Sequence, residues 1–208
     1  MILTDREITL ALDTRQLVIA PRPEIDALAS TAIDLTLDDD ALEWMPLSSG
    51  FQIRPGHKDY KYSLASRFQK PVKVTGYTLG PRAFLLGWTK ERVTLPVRSR
   101  LAARVEGKSS LARLGIGIHI TAPTIHAGFG DRAPDPIQLE IFNFGPHDII
   151  LDAGMKICQL IIEQTLRDAF KGIRGGNLSA STAKRNQPLD LPPLNSVPHG
   201  ANPRRIPR

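Results

Sequence analysis

PIQLEIFNFG (136–145) alternates: Ile137, Leu139 and Ile141 fall on one side of an extended chain, Gln138 and Glu140 on the other. That pattern predicts a strand with one face in a core. Similar runs flank it on both sides. VKVTGYTL (72–79), AFLLGWT (83–89), RVTLP (92–96), LAARVE (101–106), GIGIHIT (115–121), DIILDAG (148–154) and KICQLIIEQ (156–164) follow at close intervals, punctuated by Gly, Pro and Asn. Many short strands with little helix between them predict a mainly β domain, an antiparallel barrel or sandwich.

Upstream, Thr4 and Glu7 fit a capping box, and Ile8, Ala11 and Leu12 give the short first helix one apolar face. QLVIAP (16–21) reads as a strand stopped by proline, and TAIDLTL (31–37) as a half-buried strand. Residues 38–70 read as loops and short pieces. Downstream, 171–208 is rich in Pro, Gly and basic residues with few large apolar groups, which predicts a flexible tail after a β domain spanning 1–170.

A chain of 208 residues, 41% hydrophobic, has enough apolar material for one packed domain. Its single cysteine, Cys158, excludes a disulfide framework within the chain and a cysteine-rich zinc site, and suits a reducing cytoplasm. MILTDREI (1–8) lacks the basic and apolar regions of a signal peptide. No run approaches the roughly 18 apolar residues that span a bilayer, so no membrane is expected. The net charge of +6 suggests anionic partners. Much of it sits after Lys171, and a basic tail is a weak basis for nucleic-acid binding, so nucleic acid is not expected as a partner.

VEGKSSLARLG (105–115) looks like part of a phosphate-binding loop. It is not a Walker loop, because Ala102 stands where the first glycine belongs. Ser109 or Ser110 can still cap a short turn whose free amides attract an anion, with Lys108 and Arg113 adding charge. Alternatively, this is a capped turn with solvated side chains. Glu140 is likewise a surface carboxylate if its face meets water, and a proton shuttle if it lines a cleft. His119, in an alternating strand, reads as structural. His126 and His119 belong to no convincing metal-ligand spacing.

MILTDREI, TAIDLTL, GWTKERVTLP (87–96), VEGKSSLARLGIGIHITAPTI (105–125), IQLEIFNFG and LDAGMKICQL (151–160) occur in the order found in dCTP deaminases. The chain resembles that family, part of the superfamily of trimeric dUTP diphosphatases, over about 1–165. The resemblance implies a distorted β-barrel, jelly-roll-like subunit of the dUTPase type with a short N-terminal helix. It also implies homotrimers with active sites between neighbouring subunits. The implied reaction is hydrolytic deamination of dCTP to dUTP and ammonia, with no protein-bound metal and Mg²⁺ arriving on the triphosphate.

By position, Glu140 matches the family's catalytic glutamate. Ser109, Arg113 and the backbone carbonyl of Ala122 match the groups that orient the attacking water and the base. Lys108, Ser110 and Arg113 match the phosphate-facing block, and Phe129 the aromatic that packs on the deoxyribose. His126 stands where the family carries the aspartate that contacts the sugar, which in the diphosphatase relatives activates the hydrolytic water. Lys108 replaces an arginine, GDRAPDP (130–136) is longer than usual, and FKGIRGG (170–176) matches the family's C-terminal lid poorly. These departures leave two other readings: a non-catalytic nucleotide-binding relative, and a dUTP diphosphatase.

Overall fold

The first element forms as its spacing predicts. In the computed structural model, which describes residues 1–46, 52–167 and 169, helix α1 (Asp5–Asp13) has Thr4 as N-cap. Glu7 Oε2 accepts from the Thr4 N–H at 2.8 Å, and Ile8, Ala11 and Leu12 are the buried residues of the helix.

Strands β1 (Val18–Ala20), β2 (Leu28–Ala29), β3 (Ala32–Thr36) and β4 (Asp40–Trp44) precede the short helix α2 (Tyr62–Ala65). Then come β5 (Gln69–Lys73), β6 (Tyr77–Leu79), β7 (Phe84–Thr94) and β8 (Leu101–Gly107), and the single-turn helix α3 (Ser109–Ala112). Strands β9 (Ile116–Ile118), β10 (Thr124–Ile125), β11 (Asp135–Asn143), β12 (Ile149–Leu151) and β13 (Lys156–Gln164) complete the order.

The strands make two main sheets. One runs β5-β4-β7-β11-β9 with β1 added to β7; the other runs β10-β8-β13-β3-β2; β12 and β6 form a separate ribbon. The named pairings are all antiparallel, and the sheets stay open instead of closing into a cylinder. The architecture is therefore mainly β and jelly-roll-like, with the short N-terminal helix expected.

Leu85, Val93, Leu139 and Ile141 from the first sheet join Ile33, Leu35, Val105, Leu160 and Ile162 from the second in one buried cluster. Burying each such side chain contributes about 1.5–3 kcal/mol.

One expectation needs correction. AFLLGWT and RVTLP are one strand, β7, because Lys90-Glu91 between them contains no turn residue; Thr89–Glu91 bulges out of the ladder with β11, which pairs Trp88 with Gln138 and resumes at Arg92 with Pro136. Residues 38–70 carry the short pieces expected among loops, among them β4, which pairs with both β5 and β7.

Two buried polar side chains fix β11 at its ends. Near its start the register against β7 shifts between Pro136 and Gln138, where the Ile137 N–H donates to Thr89 Oγ1 at 2.9 Å. Thr89 in turn donates to the Glu91 carbonyl at 2.7 Å. At its end Asn143, fully buried, donates through Nδ2 to the carbonyls of Leu79 and His147, both at 2.8 Å, and accepts from the Gly145 N–H at 2.9 Å.

Backbone contacts divide the chain into Met1–Gly176 and Asn177–Arg208. The predicted tail, 171–208, lies outside the described residues, as does all of FKGIRGG. Among the described residues no helix is long and apolar enough to cross a membrane.

Asn143→Leu removes three hydrogen bonds at once, to the Leu79 carbonyl in the interior and to the His147 carbonyl and Gly145 N–H at its edge, each contributing about 1 kcal/mol. A loss of about 3 kcal/mol or more is expected in urea unfolding at unchanged m-value.

Candidate active site

The alternation in β11 puts Ile137, Leu139 and Ile141 in the core and leaves Gln138, Glu140 and Phe142 on the opposite face. Across the ladder Gln138 faces Trp88, Glu140 faces Leu86 and Phe142 faces Phe84. Residues directly opposite in an antiparallel pair share a face, so Glu140 stands among Phe84, Leu86, Trp88 and Phe142. The rings of Phe84 and Phe142 lie 6.4 Å apart and those of Phe142 and Phe144 4.3 Å. This is not the polar outer face of a sheet bathed in water.

The carboxylate is 31% exposed and Oε2 stands 2.8 Å from His119 Nδ1. The contact is close but misaligned, and neither atom has a hydrogen-bond partner. The backbones are joined as well: the His119 N–H donates to the Glu140 carbonyl at 2.8 Å. His119 is buried, and it is not within a strand as the sequence pattern predicts. β9 ends at Ile118, and His119 takes φ 52°, turning the chain beside Glu140.

Helix α3 also departs from expectation. Its N-cap is Lys108, neither Ser109 nor Ser110 closes it, and both serines are exposed. Arg113 is the exposed C-cap. Lys108 donates to Asp34 Oδ1, which also accepts from Gln159 Nε2 at 3.1 Å, and Lys156 Nζ stands 3.5 Å from Asp34 Oδ2. Partial burial pushes the Asp34 carboxyl up. The hydrogen bonds from Lys108 and Gln159 and the charges of Lys108 and Lys156 outweigh it and hold the group below its ordinary value.

Past α3 the backbone crosses the end of β11 at close quarters. Phe144 N–H donates to the Gly115 carbonyl at 2.7 Å. Gly115 has φ 93°, and a Cβ on it would meet Gly145 N at 2.4 Å; a Cβ on Gly145 would meet the Leu114 carbonyl at the same distance. Both positions therefore require glycine.

Ala122 is exposed in the bend after His119, and the next residue is tied down by the Val105 N–H donating to the Pro123 carbonyl at 2.8 Å. His126 is exposed, and its carbonyl accepts from the Phe129 N–H at 3.1 Å. Phe129 packs half-buried against the core, and its carbonyl accepts from Leu95 at 2.8 Å.

Within one chain, then, the fold brings Glu140 to His119 and Lys108 to Asp34. Among the described residues no hydrogen bond or ion pair joins Glu140 to Ser109, Ser110 or Arg113. His119 and Asp34 are the two site residues the sequence pattern left unassigned. Asp34 carried a signal, a carboxylate on the polar side of an alternating strand. The left-handed turn at His119 carried none.

An open cavity of ≈ 480 Å³ lies beside α3, its lining including Glu106, Ala112, Ile116, Ile120 and Phe144. Three large apolar side chains nearby are exposed: Leu114 (53%), Ile120 (56%) and Phe144 (62%).

Comparison with known proteins matches residues 2–165 to the family model described as dCTP deaminase-like. A dCTP deaminase from Rhodospirillum rubrum is 33% identical over 174 residues, 82% of this chain and 86% of that protein. A protein from Coprothermobacter proteolyticus named "dCTP deaminase, dUMP-forming" is 37% identical over 163 residues, 78% of this chain and 82% of its own length. Among solved structures, 2′-deoxycytidine 5′-triphosphate deaminase from Agrobacterium tumefaciens superposes with TM-score 0.57 at 22% identity. That match covers 78% of this chain and 48% of the other.

Asp34 has a folded-state pKa below its unfolded value of about 3.9. Its contribution to stability is therefore complete above that value and lost as pH falls through the folded one. Asp34→Asn should lower the melting temperature at pH 7, and should reduce the drop between pH 7 and pH 3 relative to the unsubstituted protein.

Proposed function

The chain belongs to the dCTP deaminase-like family, and from that membership we propose that it is an enzyme hydrolysing dCTP to dUTP and ammonia. The observation that carries this is Glu140, a carboxylate set among Phe84, Leu86, Trp88 and Phe142 with one oxygen buried beside His119.

Glu140 removes a proton from water as the water oxygen bonds to C4 of cytosine, and passes that proton to N3. The proton left on the new hydroxyl group moves to the amino group, the C4–N4 bond breaks, and ammonia departs as the C4 carbonyl forms. Ser109, Arg113 and the Ala122 carbonyl hold the water and the base, so that positioning replaces much of the entropic cost of bringing the reactants together. His119 is a positioning residue for the carboxylate. Lys108, Ser110 and Arg113 meet the triphosphate, which arrives with its Mg²⁺; Phe129 packs on the deoxyribose and His126 lies beside the sugar.

Glu140 has no bond to the Ser109–Arg113 turn of its own chain, which supports a site completed by a neighbouring copy. We read the assembly as a homotrimer with intersubunit active sites. The apolar surroundings of Glu140 and the exposed Leu114, Ile120 and Phe144 support contact between copies.

A second reading carries the reaction on to dUMP and pyrophosphate. Relatives named "dUMP-forming" favour it. His126 opposes it, standing where the resemblance places the carboxylate that activates the second water.

One assay separates these. Purified protein is incubated with Mg-dCTP and with Mg-dUTP, and ammonia and pyrophosphate are followed. Ammonia alone, from dCTP, is expected. Pyrophosphate from either substrate supports the second reading, and binding without either product leaves a non-catalytic nucleotide-binding protein. Glu140→Gln should lower kcat by about 100-fold or more, the range of a lost general acid–base, with nucleotide binding retained by calorimetry. Arg113→Ala should weaken triphosphate binding by about 2 kcal/mol, the value of a charge-assisted contact.

A further inference from the structure

Between 52 and 70 the chain carries Arg54, Lys58, Lys61, Arg67 and Lys70 against a single acidic residue, Asp59. Lys70 pairs with Glu43 at 3.0 Å, and Asp59 stands 3.7 Å from His57 Nδ1. Among the described residues Arg54, Lys58, Lys61 and Arg67 form no ion pair, and all four are exposed. The segment is folded on itself, which gathers these charges. The His57 N–H donates to the Arg54 carbonyl at 3.1 Å, and the Tyr60 N–H to the His57 carbonyl at 2.9 Å. The Leu64 N–H donates to the Lys61 carbonyl at 2.9 Å. Like charges gathered without counter-charges set up a positive potential over the surface they stand on.

That surface is the Glu140 face. Glu140 pairs with Leu86, Leu86 with Leu42 and Leu42 with Pro71, one row across β11, β7, β4 and β5. Gln69 lies two residues before Pro71 in β5, on the same face. It is buried there, and its Nε2 donates to the Tyr62 hydroxyl at 3.0 Å. α2 therefore stands over Gln69 at the β5 border of the face that carries Glu140. Three strand spacings, about 14 Å, separate β5 from β11.

We infer that the basic segment 52–67 steers the nucleotide to the Glu140 face, attracting its triphosphate during approach without holding it in the complex. This rests on the deamination reading and adds to it: Lys108, Ser110 and Arg113 take the bound triphosphate, and these four cations act at longer range. A cluster of one sign beside a site raises the association rate of an oppositely charged ligand by about 10–1,000-fold. Its field reaches about 30 Å at about 10 mM ionic strength and about 3 Å at 1 M. At low salt it therefore spans the distance to Glu140, and at high salt it does not.

The chain's two tryptophans, Trp44 opposite Gln69 and Trp88 opposite Gln138, both lie on this face, so stopped-flow tryptophan fluorescence follows Mg-dCTP binding. The Glu140→Gln protein, in which turnover does not intervene, is compared with the same protein carrying Arg54→Glu, Lys58→Glu and Lys61→Glu. At low salt the charge-reversed protein should associate about tenfold more slowly or worse, with its dissociation rate little changed. At high salt the two association rates should agree. A rate ratio that is the same at both salt concentrations, or a loss carried by dissociation, overturns steering, because a direct contact or structural damage acts in that way. Should thermal melting show that charge reversal unfolds the protein, glutamine at the same three positions replaces it, with a smaller loss and the same salt dependence expected. Ammonia release by the protein with Glu140 intact is followed in parallel. A salt-dependent difference without ammonia counts against the deamination reading alone, and ammonia without the difference overturns steering alone. Absence of dCTP binding overturns both.

Discussion

β11 has to keep two environments apart on opposite sides of a single strand. Ile137, Leu139 and Ile141 belong to the buried cluster, while Glu140 lies between them in sequence and faces the other way. A slip of one residue against β7 would drive the carboxylate into that cluster and expose the aliphatic set. Moving an unpaired carboxylate into an apolar interior is far more costly than losing one ladder bond. The register is therefore held at both ends, by the Thr89 hydroxyl at the Ile137 N–H and by the Asn143 amide spanning the turn beyond the strand. The rest of the site is built around that fixed strand: His119 bonds to its backbone, and Phe84, Leu86 and Trp88 face it from β7.

Much of this was legible because period-two alternation is a local property. The strand around Glu140, the capped first helix with Ile8, Ala11 and Leu12 inward, and the strand at TAIDLTL all follow from side-chain direction alone. The local pattern left open or missed what a distant partner decides. β4 is a strand because β5 and β7 lie on either side of it. Lys108 caps α3 and turns to Asp34, 74 residues away, which no spacing rule connects. His119 continues an alternating pattern on paper, yet bonding to Glu140 turns its backbone into the left-handed region. No hydrogen bond or ion pair joins the Ser109–Arg113 turn to Glu140 within one chain, and side-chain periodicity carries no information on how the two relate.

The electrostatics of the site fall into two separate groups. Lys108, Asp34, Gln159 and Lys156 form a network in which each charge has a partner, and it holds the Asp34 carboxyl below its ordinary pKa. Around Glu140 the reverse holds: Gln138 Nε2, Glu140 Oε2 and His119 Nδ1 are each buried and without an aligned hydrogen bond. A satisfied network fixes geometry, whereas unsatisfied groups retain the capacity to bind.

The crossing of Gly115 and Gly145 constrains how this chain can change its length. Each glycine fills space the other backbone would claim. The distance in sequence from Arg113 to one crossing point and from Glu140 to the other is thereby frozen, and neither segment can gain or lose a residue without uncoupling the α3 turn from the carboxylate strand. Insertions and deletions must instead be absorbed outside these two segments, as in GDRAPDP, which leaves a turn at 126–131 that is secured by its own bonds to Leu95 and Val97. The entrance to β11 is free to vary in length, and its exit is not.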